Sequence, residues 1–232
     1  MKPHTTIKAI YCGQVNTMEH KSKGLYNSAY KKQQMPSDKK LFINAEGFLD
    51  DSQGDRENHG GIDKAVCVYS QKAYDFLQKE HNISSETPLF GENITIVDLD
   101  DSEVCIGDIF ECGEVLFEVS QPRQPCWKIS TLTGIKNLTA LLVKEHKSGF
   151  YMRVLQEGKI SQNDTLQLIS RDYPQLTIEY VNRCSFDAKK HQKEIPEILA
   201  CSKLSEAYKE SLHKRYKGAE SGLQEWQNDL NI

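Results

Sequence analysis

The sequence predicts a mainly β protein with additional helices, in the α+β class, in which a barrel or sandwich of short strands precedes a small helical unit. Runs with alternating or β-branched side chains recur through the first three quarters of the 232 residues. Clusters of Gly, Asp and Asn separate these runs, which is the chemistry of turns. After residues 171–174 the strand pattern gives way to helical spacing. Short strands joined by such turns are typical of a barrel or a sandwich.

The candidate strands lie at 7–15, 65–69, 93–97, 114–119, 151–155 and 165–169. Two segments between them, 71–81 and 135–146, carry apolar residues at helical spacing, and we expect both helices to pack against the barrel. The segment 16–38 is polar and weakly periodic, which indicates an excursion over the surface.

The last quarter of the chain predicts three helices, at 178–184, 189–201 and 203–217. Pro196 interrupts or opens the middle helix. Ser202 is the predicted cap at the start of the third helix, and Gly218 is placed to end it in a left-handed conformation. The sequence therefore predicts two domains, a barrel domain over 1–172 and a helical unit over 173–232.

The overall charge argues against nucleic acid as a partner. The 29 Lys and Arg against 33 Asp and Glu give a net charge of −4, which offers no basic footprint for a phosphate backbone. The segment 98–118 contains only acidic charges, and we expect it to be a solvated rim of the barrel. The first residues have no apolar signal segment and no run is long enough to cross a membrane, so we expect a cytoplasmic protein without a membrane partner.

Seven cysteines, an odd number at scattered spacings, support neither a disulfide framework nor a zinc ribbon. Most are expected to be small buried residues. Cys126 differs because it lies in a loop stiffened by Pro122 and Pro125, after a strand and between Arg123 and Lys128. Nearby cations favour the thiolate, the form that reacts and binds metals. A buried structural thiol and a functional one both remain open on residue types alone.

Three further segments carry candidate site residues. The turn at His59, Gly60, Gly61, Asp63 and Lys64 lets backbone amides approach a ligand, although a tight β-connection explains it as well. Glu92 and Asn93 stand where a strand opens, and a strand-opening turn accounts for them nearly as well. Arg153 lies in an apolar strand, where it faces either an anion or the solvent edge.

Taken in order, these motifs resemble those of the MOSC family, specifically its YiiM type. The resemblance rests on His59-Gly60-Gly61-x-Asp63-Lys64-Ala65, Gly91-Glu92-Asn93, Gly107-Asp108, Ser120-Gln121-Pro122-Arg123-x-Pro125-Cys126-x-Lys128 and Tyr151-Met152-Arg153-Val154. It covers about residues 40–172, and the helical tail resembles the three-helix unit of that type.

The resemblance implies a MOSC-type β-barrel with flanking helices that binds the molybdenum cofactor, with Cys126 as the thiolate ligand of the metal. It also implies which residues line the cofactor pocket: His59, Gly60, Gly61, Asp63, Lys64, Glu92, Asn93, Arg123, Lys128 and Arg153. The implied activity is reduction of N-hydroxylated compounds, such as hydroxylaminopurines, to amines, with Cys126 at the metal and Asp63, His59 or Lys64 as a proton relay. Because the sequence carries no flavin, haem or iron–sulfur motif, we expect a separate reductase partner to supply electrons.

Two other functions remain open from the sequence. One is a carrier that holds or delivers the cofactor without turnover. The other is a metal-free transferase or hydrolase in which Cys126 and His59 form a nucleophile pair.

Overall fold

The computed structural model describes residues 3–20, 24–54, 60–84, 88–218 and 227. Within these residues it contains thirteen strands, six α-helices and one 3-10 helix at Ile62–Lys64. The strands are β1 (His4–Cys12), β2 (Asn16–His20), β3 (Gly24–Ser28), β4 (Gln33–Gln34), β5 (Leu41–Asn44), β6 (Gly47–Phe48), β7 (Val66–Ser70), β8 (Ile94–Ile96), β9 (Ile109–Cys112), β10 (Val115–Pro122), β11 (Phe150–Gln156), β12 (Gly158–Ile160) and β13 (Thr165–Ser170). The helices are α1 (Gln71–His81), α2 (Lys128–Thr133), α3 (Leu138–Lys144), α4 (Ile178–Phe186), α5 (Ile195–Ala200) and α6 (Glu206–Tyr216).

Seven strands close into a barrel, so the fold class predicted from the sequence is confirmed. The strand order is β13-β9-β10-β11-β7-β8-β1, and β1 returns to pair with β13. Most neighbours are antiparallel, whereas β7 and β8 are parallel because α1 lies between them in sequence. The barrel positions two strand ends near Cys126 and the 3-10 helix: β10 ends at Pro122, and β7 begins just after the 3-10 helix.

The alternating patterns locate all six predicted strands, with ends displaced by one to three residues at most of them. α1 spans the predicted 71–81, and α3 forms the centre of the predicted 135–146. The segment 16–38 contains more structure than expected, because β2 and β3 form a hairpin and β4 pairs with β1. The hairpin strands pair only with each other in the described sheets and are largely exposed, so they lack the one-sided apolar pattern that reveals a strand.

The helical tail packs on the barrel rather than apart from it. Residues of α4, α5 and α6 belong to the same hydrophobic cluster as the barrel interior, through side chains such as Val181, Ile198 and Leu212. The division into two domains at residue 172 therefore stays a prediction. Helices α1, α2 and α3 form a second cluster on the outside of the barrel.

Two details of the tail differ from the expectation. α5 begins only at Ile195, with Pro196 in its first turn, so the proline opens the helix as its missing N–H permits. The cap of α6 is Ser205 rather than Ser202, since the Ser205 hydroxyl accepts a hydrogen bond from the Tyr208 amide at 3.2 Å. Gly218 has the expected left-handed backbone, with φ of 69°.

The expectation of a solvated acidic rim at 98–118 is wrong for three carboxylates. Asp101, Asp108 and Glu118 are 0%, 0% and 2% exposed. Asp108 is held by the guanidinium of Arg171 at 2.6 Å, and Glu118 by two cations described below. A buried carboxylate requires such partners, and here they come from distant parts of the chain.

Candidate functional site

Cys126 lies between the end of β10 and the start of α2, and it is the one cysteine of the seven that is not buried. Its backbone is fixed at the base of the helix, because its carbonyl accepts hydrogen bonds from the Ile129 amide and the Thr139 hydroxyl, both at 3.1 Å. Burial raises the pKa of the thiols of Cys12 and Cys112 to about 12, which keeps them protonated and inert. The expectation that most cysteines are buried is confirmed, and the accessible thiol is the one in the proline-stiffened loop.

A cavity beside Cys126 is built by six segments of the chain. It is lined by Ser28, Ala29, Tyr30, Lys32, Asp51, Ser52, Gln53, Gly54, Lys64, Ala65, Cys67, Phe90, Gly91, Asn93, Arg123, Cys126, Lys128 and Tyr151. Five predicted site residues meet here: Lys64, Asn93, Arg123, Cys126 and Lys128. Four cations, at positions 32, 64, 123 and 128, line one cavity, so the site suits an anionic ligand.

Arg123 provides the buried charge of this cavity. The residue is 6% exposed, and its backbone amide donates to the Gly149 carbonyl at 2.9 Å. Its Nη1 atom is buried and has no hydrogen-bond partner among the described residues. Burial raises the pKa of the neighbouring Cys67 and Tyr151, while Arg123 partly opposes that rise, and Arg123 also lowers the pKa of the buried Glu92 carboxyl, which burial raises. An unpaired guanidinium nitrogen in a cavity wall is a donor available to a bound anion.

Asn93 is held in the wall by contacts within the protein. Its Oδ1 accepts from the Cys67 amide at 3.1 Å, and its Nδ2 donates to Asp51 Oδ2 at 2.7 Å. Asp51 in turn forms a buried ion pair with Lys32. Sequence reasoning missed both residues of that pair, because they lie outside the motifs and Lys32 falls in the weakly patterned segment.

Asp63 and Arg153 do not line the cavity. Arg153 bridges Asp63 at 2.8 Å and the buried Glu118 at 2.9 Å, and Lys203 completes the network with an ion pair to Glu118 at 2.7 Å. The network ties the 3-10 helix to the barrel and to the segment before α6. Asp63 is thus engaged by Arg153, whereas its neighbour Lys64 lines the cavity.

Glu92 and the two glycines also stand apart from the cavity lining. Glu92 is fully buried and accepts from the Tyr74 hydroxyl at 2.6 Å and the Phe90 amide at 3.1 Å, so its carboxylate fixes the turn before β8. Gly61 has φ of 92°, a conformation that favours glycine, and its amide donates to Gln53 at 3.3 Å. Gly60 precedes it, and His59 lies outside the described residues.

The β2–β3 hairpin covers the side of the site next to Cys126. The rings of His20 and Tyr26 stand edge-on to Trp127, at 4.9 and 5.1 Å between centroids. The Lys128 ammonium lies 5.6 Å from the centre of the Tyr26 ring. The Tyr26 hydroxyl is buried without a hydrogen-bond partner among the described residues. No pattern in the sequence predicts this aromatic cluster of His20, Tyr26 and Trp127.

Among the described residues no three His, Cys, Asp or Glu side chains converge as a metal site. A metal bound at Cys126 therefore needs most of its ligands from a cofactor. No helix in the described part of the chain is long and apolar enough to span a bilayer.

Comparison with known proteins shows which family shares this architecture. The family model of the MOSC domain matches residues 55–167. Protein YiiM of Escherichia coli strain K12 is 31% identical over 181 residues, which cover 77% of this chain and 80% of YiiM. The crystal structure of YiiM from Geobacillus stearothermophilus superposes with a TM-score of 0.76 at 29% identity, over 92% of this chain and all of that one. A Gibberella moniliformis protein named reductase is 34% identical over 164 residues, which cover 69% of this chain and 29% of that longer protein.

Proposed function

Because the chain belongs to the MOSC family, as its motifs predicted, we propose that it binds a molybdenum cofactor through Cys126 and reduces N-hydroxylated compounds to amines. The observation that carries the proposal is the accessible Cys126 thiol on a cavity with four cations and an unpaired Arg123 nitrogen. The relative named reductase supports a redox activity of this kind.

The residues present fit such a cofactor. A thiolate is a ligand that molybdenum accepts, and the dithiolene and phosphate groups of the cofactor are anionic. Arg123, Lys128 and Lys64 all line the cavity with Cys126, and they would hold the anionic groups of the cofactor. When bound, the cofactor supplies the two-electron redox chemistry.

The work of the chain itself is binding, orientation and proton supply. The reaction takes a hydroxylamine, two electrons and two protons to an amine and water. The cations counter the charge of the bound group. Tyr26 of the β2–β3 hairpin packs against Trp127, and this contact would limit the access of water to Cys126. For a proton relay, Lys64 is favoured over Asp63, because Lys64 lines the cavity and Asp63 does not.

The electrons require a separate reductase partner in this proposal. The matched segment makes up only 29% of the Gibberella protein named reductase, so most of that longer chain has no counterpart in the match.

The decisive experiment is elemental analysis of protein made in a molybdenum-replete host with intact cofactor synthesis. We expect about one molybdenum per chain in the wild type and loss of at least ten-fold in Cys126→Ser, since the thiolate is the one protein ligand proposed. Cys201→Ala is the matched control and should retain the metal. Absence of molybdenum from the wild type would overturn the cofactor assignment.

Turnover separates the remaining functions. The loaded protein, supplied with a chemical reductant such as reduced methyl viologen, should convert a hydroxylaminopurine to the aminopurine. Metal retention without turnover across donors and substrates would favour the carrier. Activity in metal-free protein would favour a thiol-dependent transferase or hydrolase instead.

A further inference from the structure

The segment that carries Cys126 touches the C-terminal unit along most of its length. We name residues 120–126 the cysteine loop. Its contacts with the tail are Ser205 N–H to the Ser120 carbonyl at 3.0 Å, Ser205 Oγ to Gln121 Oε1 at 2.7 Å, Gln124 Nε2 to Ser211 Oγ at 3.4 Å and Gln227 Nε2 to the Pro125 carbonyl at 2.9 Å. The tail thus contacts four of the six residues that precede the cysteine.

These contacts hold the part of the cysteine loop that lies between two other hydrogen-bonded positions. The barrel holds the loop as far as Arg123, whose amide bonds to Gly149, and α2 holds it again from the Cys126 carbonyl. Between them, Gln124 and Pro125 are bonded by the tail. Pro125 has no amide hydrogen, so its carbonyl is the backbone group through which it can be fixed.

Both tail residues that make the shorter contacts are buried, which makes the contacts specific. Gln227 is 5% exposed and Ser205 is 1% exposed. The Ser205 hydroxyl both caps α6, by accepting from Tyr208, and donates to Gln121. The start of α6 and the cysteine loop are therefore fixed by one side chain.

We propose that the C-terminal unit positions the Cys126 thiol, with Gln227 and Ser205 as its positioning residues. Loss of the Gln227 amide leaves the Pro125 carbonyl without that donor and gives the adjoining thiol more freedom. The inference rests on the proposed function only in taking Cys126 as the group whose position matters.

The test uses the full chain prepared without metal, so that it is independent of cofactor binding. Alkylation by iodoacetamide is followed at all seven cysteines by peptide mass spectrometry. In Gln227→Ala we expect about a five-fold change in the Cys126 alkylation rate, the effect of one hydrogen bond. Gln192→Ala is the matched control, because the Gln192 amide also donates to a backbone carbonyl, that of Ala188, at 2.9 Å within the tail.

The six buried cysteines serve as an internal measure of folding. A change confined to Cys126 in Gln227→Ala, with Gln192→Ala unchanged, supports the proposal. An unaltered Cys126 rate overturns it. Faster alkylation at all seven sites also overturns it, because the amide would then support the whole fold rather than the position of one thiol. A protein that binds no molybdenum would sink the proposed function and leave this result standing.

Discussion

Replacing Asp101 by Asn should remove the pH dependence of stability that this residue imposes. Asp101 is fully buried; its Oδ2 accepts from the Gly149 amide at 3.0 Å, while its Oδ1 has no partner among the described residues. Burial raises its pKa from 3.8 to about 7, and nearby Asp100 adds to the rise against the opposing charge of Lys147. The folded protein therefore binds a proton here that the unfolded chain has released.

The direction of this pH dependence follows from the difference in proton binding between the folded and unfolded states. Because the folded pKa is raised, the contribution to stability is intact below about pH 4 and is lost as the pH rises to about 7. A shift of about three units corresponds to about 4 kcal/mol over that interval, and to roughly 2–3 kcal/mol between pH 5 and pH 8. Asn keeps the acceptor for Gly149 and carries no charge, so Asp101→Asn should gain that amount relative to wild type.

Urea denaturation at pH 5 and pH 8 measures the effect as a difference between the two proteins. Asp38→Asn, at an exposed aspartate, is the matched control and should show no such difference. If Asp101→Asn has the same stability relative to wild type at both pH values, the carboxyl does not titrate in this interval and the reasoning is refuted.

Two further changes test the packing around the barrel. Arg171→Met should lower the free energy of unfolding by about 3 kcal/mol at pH 7 and by less at pH 4. The substitution leaves the buried Asp108 carboxylate without its ion-pair partner, and burial already raises the pKa of Asp108. An equal loss at both pH values in urea titrations would contradict this. Gly149→Ala should cost more than about 2 kcal/mol, since φ is 75° and a Cβ would lie 2.5 Å from the Val68 carbonyl oxygen. Gly113→Ala, with φ of 61° and open space, should cost only about 1 kcal/mol by the same assay.

The sequence predicted what depends on neighbours along the chain. Strands with one buried face alternate, and α1 has one apolar stripe, so both were readable. The proline-stiffened loop with flanking cations singled out Cys126 in the same way. The hairpin at 16–28 was not readable, because neither of its strands has one consistently buried face.

The buried ion pairs could not be predicted from the sequence, because their partners lie far apart along the chain. Asp108 and Arg171 are 63 residues apart, and Glu118 meets Lys203 from 85 residues away. A run of acidic residues with no adjacent cation is typical of a solvated surface, and only the closed barrel brings its partners to it. The residues left Arg153 open between an anion and the solvent edge, and the family resemblance placed it in the cofactor pocket; in the fold it meets the carboxylates of Asp63 and Glu118.

The electrostatic character of the cavity depends on which of its cations are already paired. Lys32 is neutralised by Asp51 inside the wall, and Arg153 is neutralised by Asp63 and Glu118 behind it. Arg123 differs, because its Nη1 is buried without a hydrogen-bond partner among the described residues. A guanidinium kept out of water in this way costs free energy that an anionic ligand would recover on binding. Arg123 therefore contributes to the preference of the site for an anion, together with Lys64 and Lys128 of the cavity lining, whichever anionic group binds.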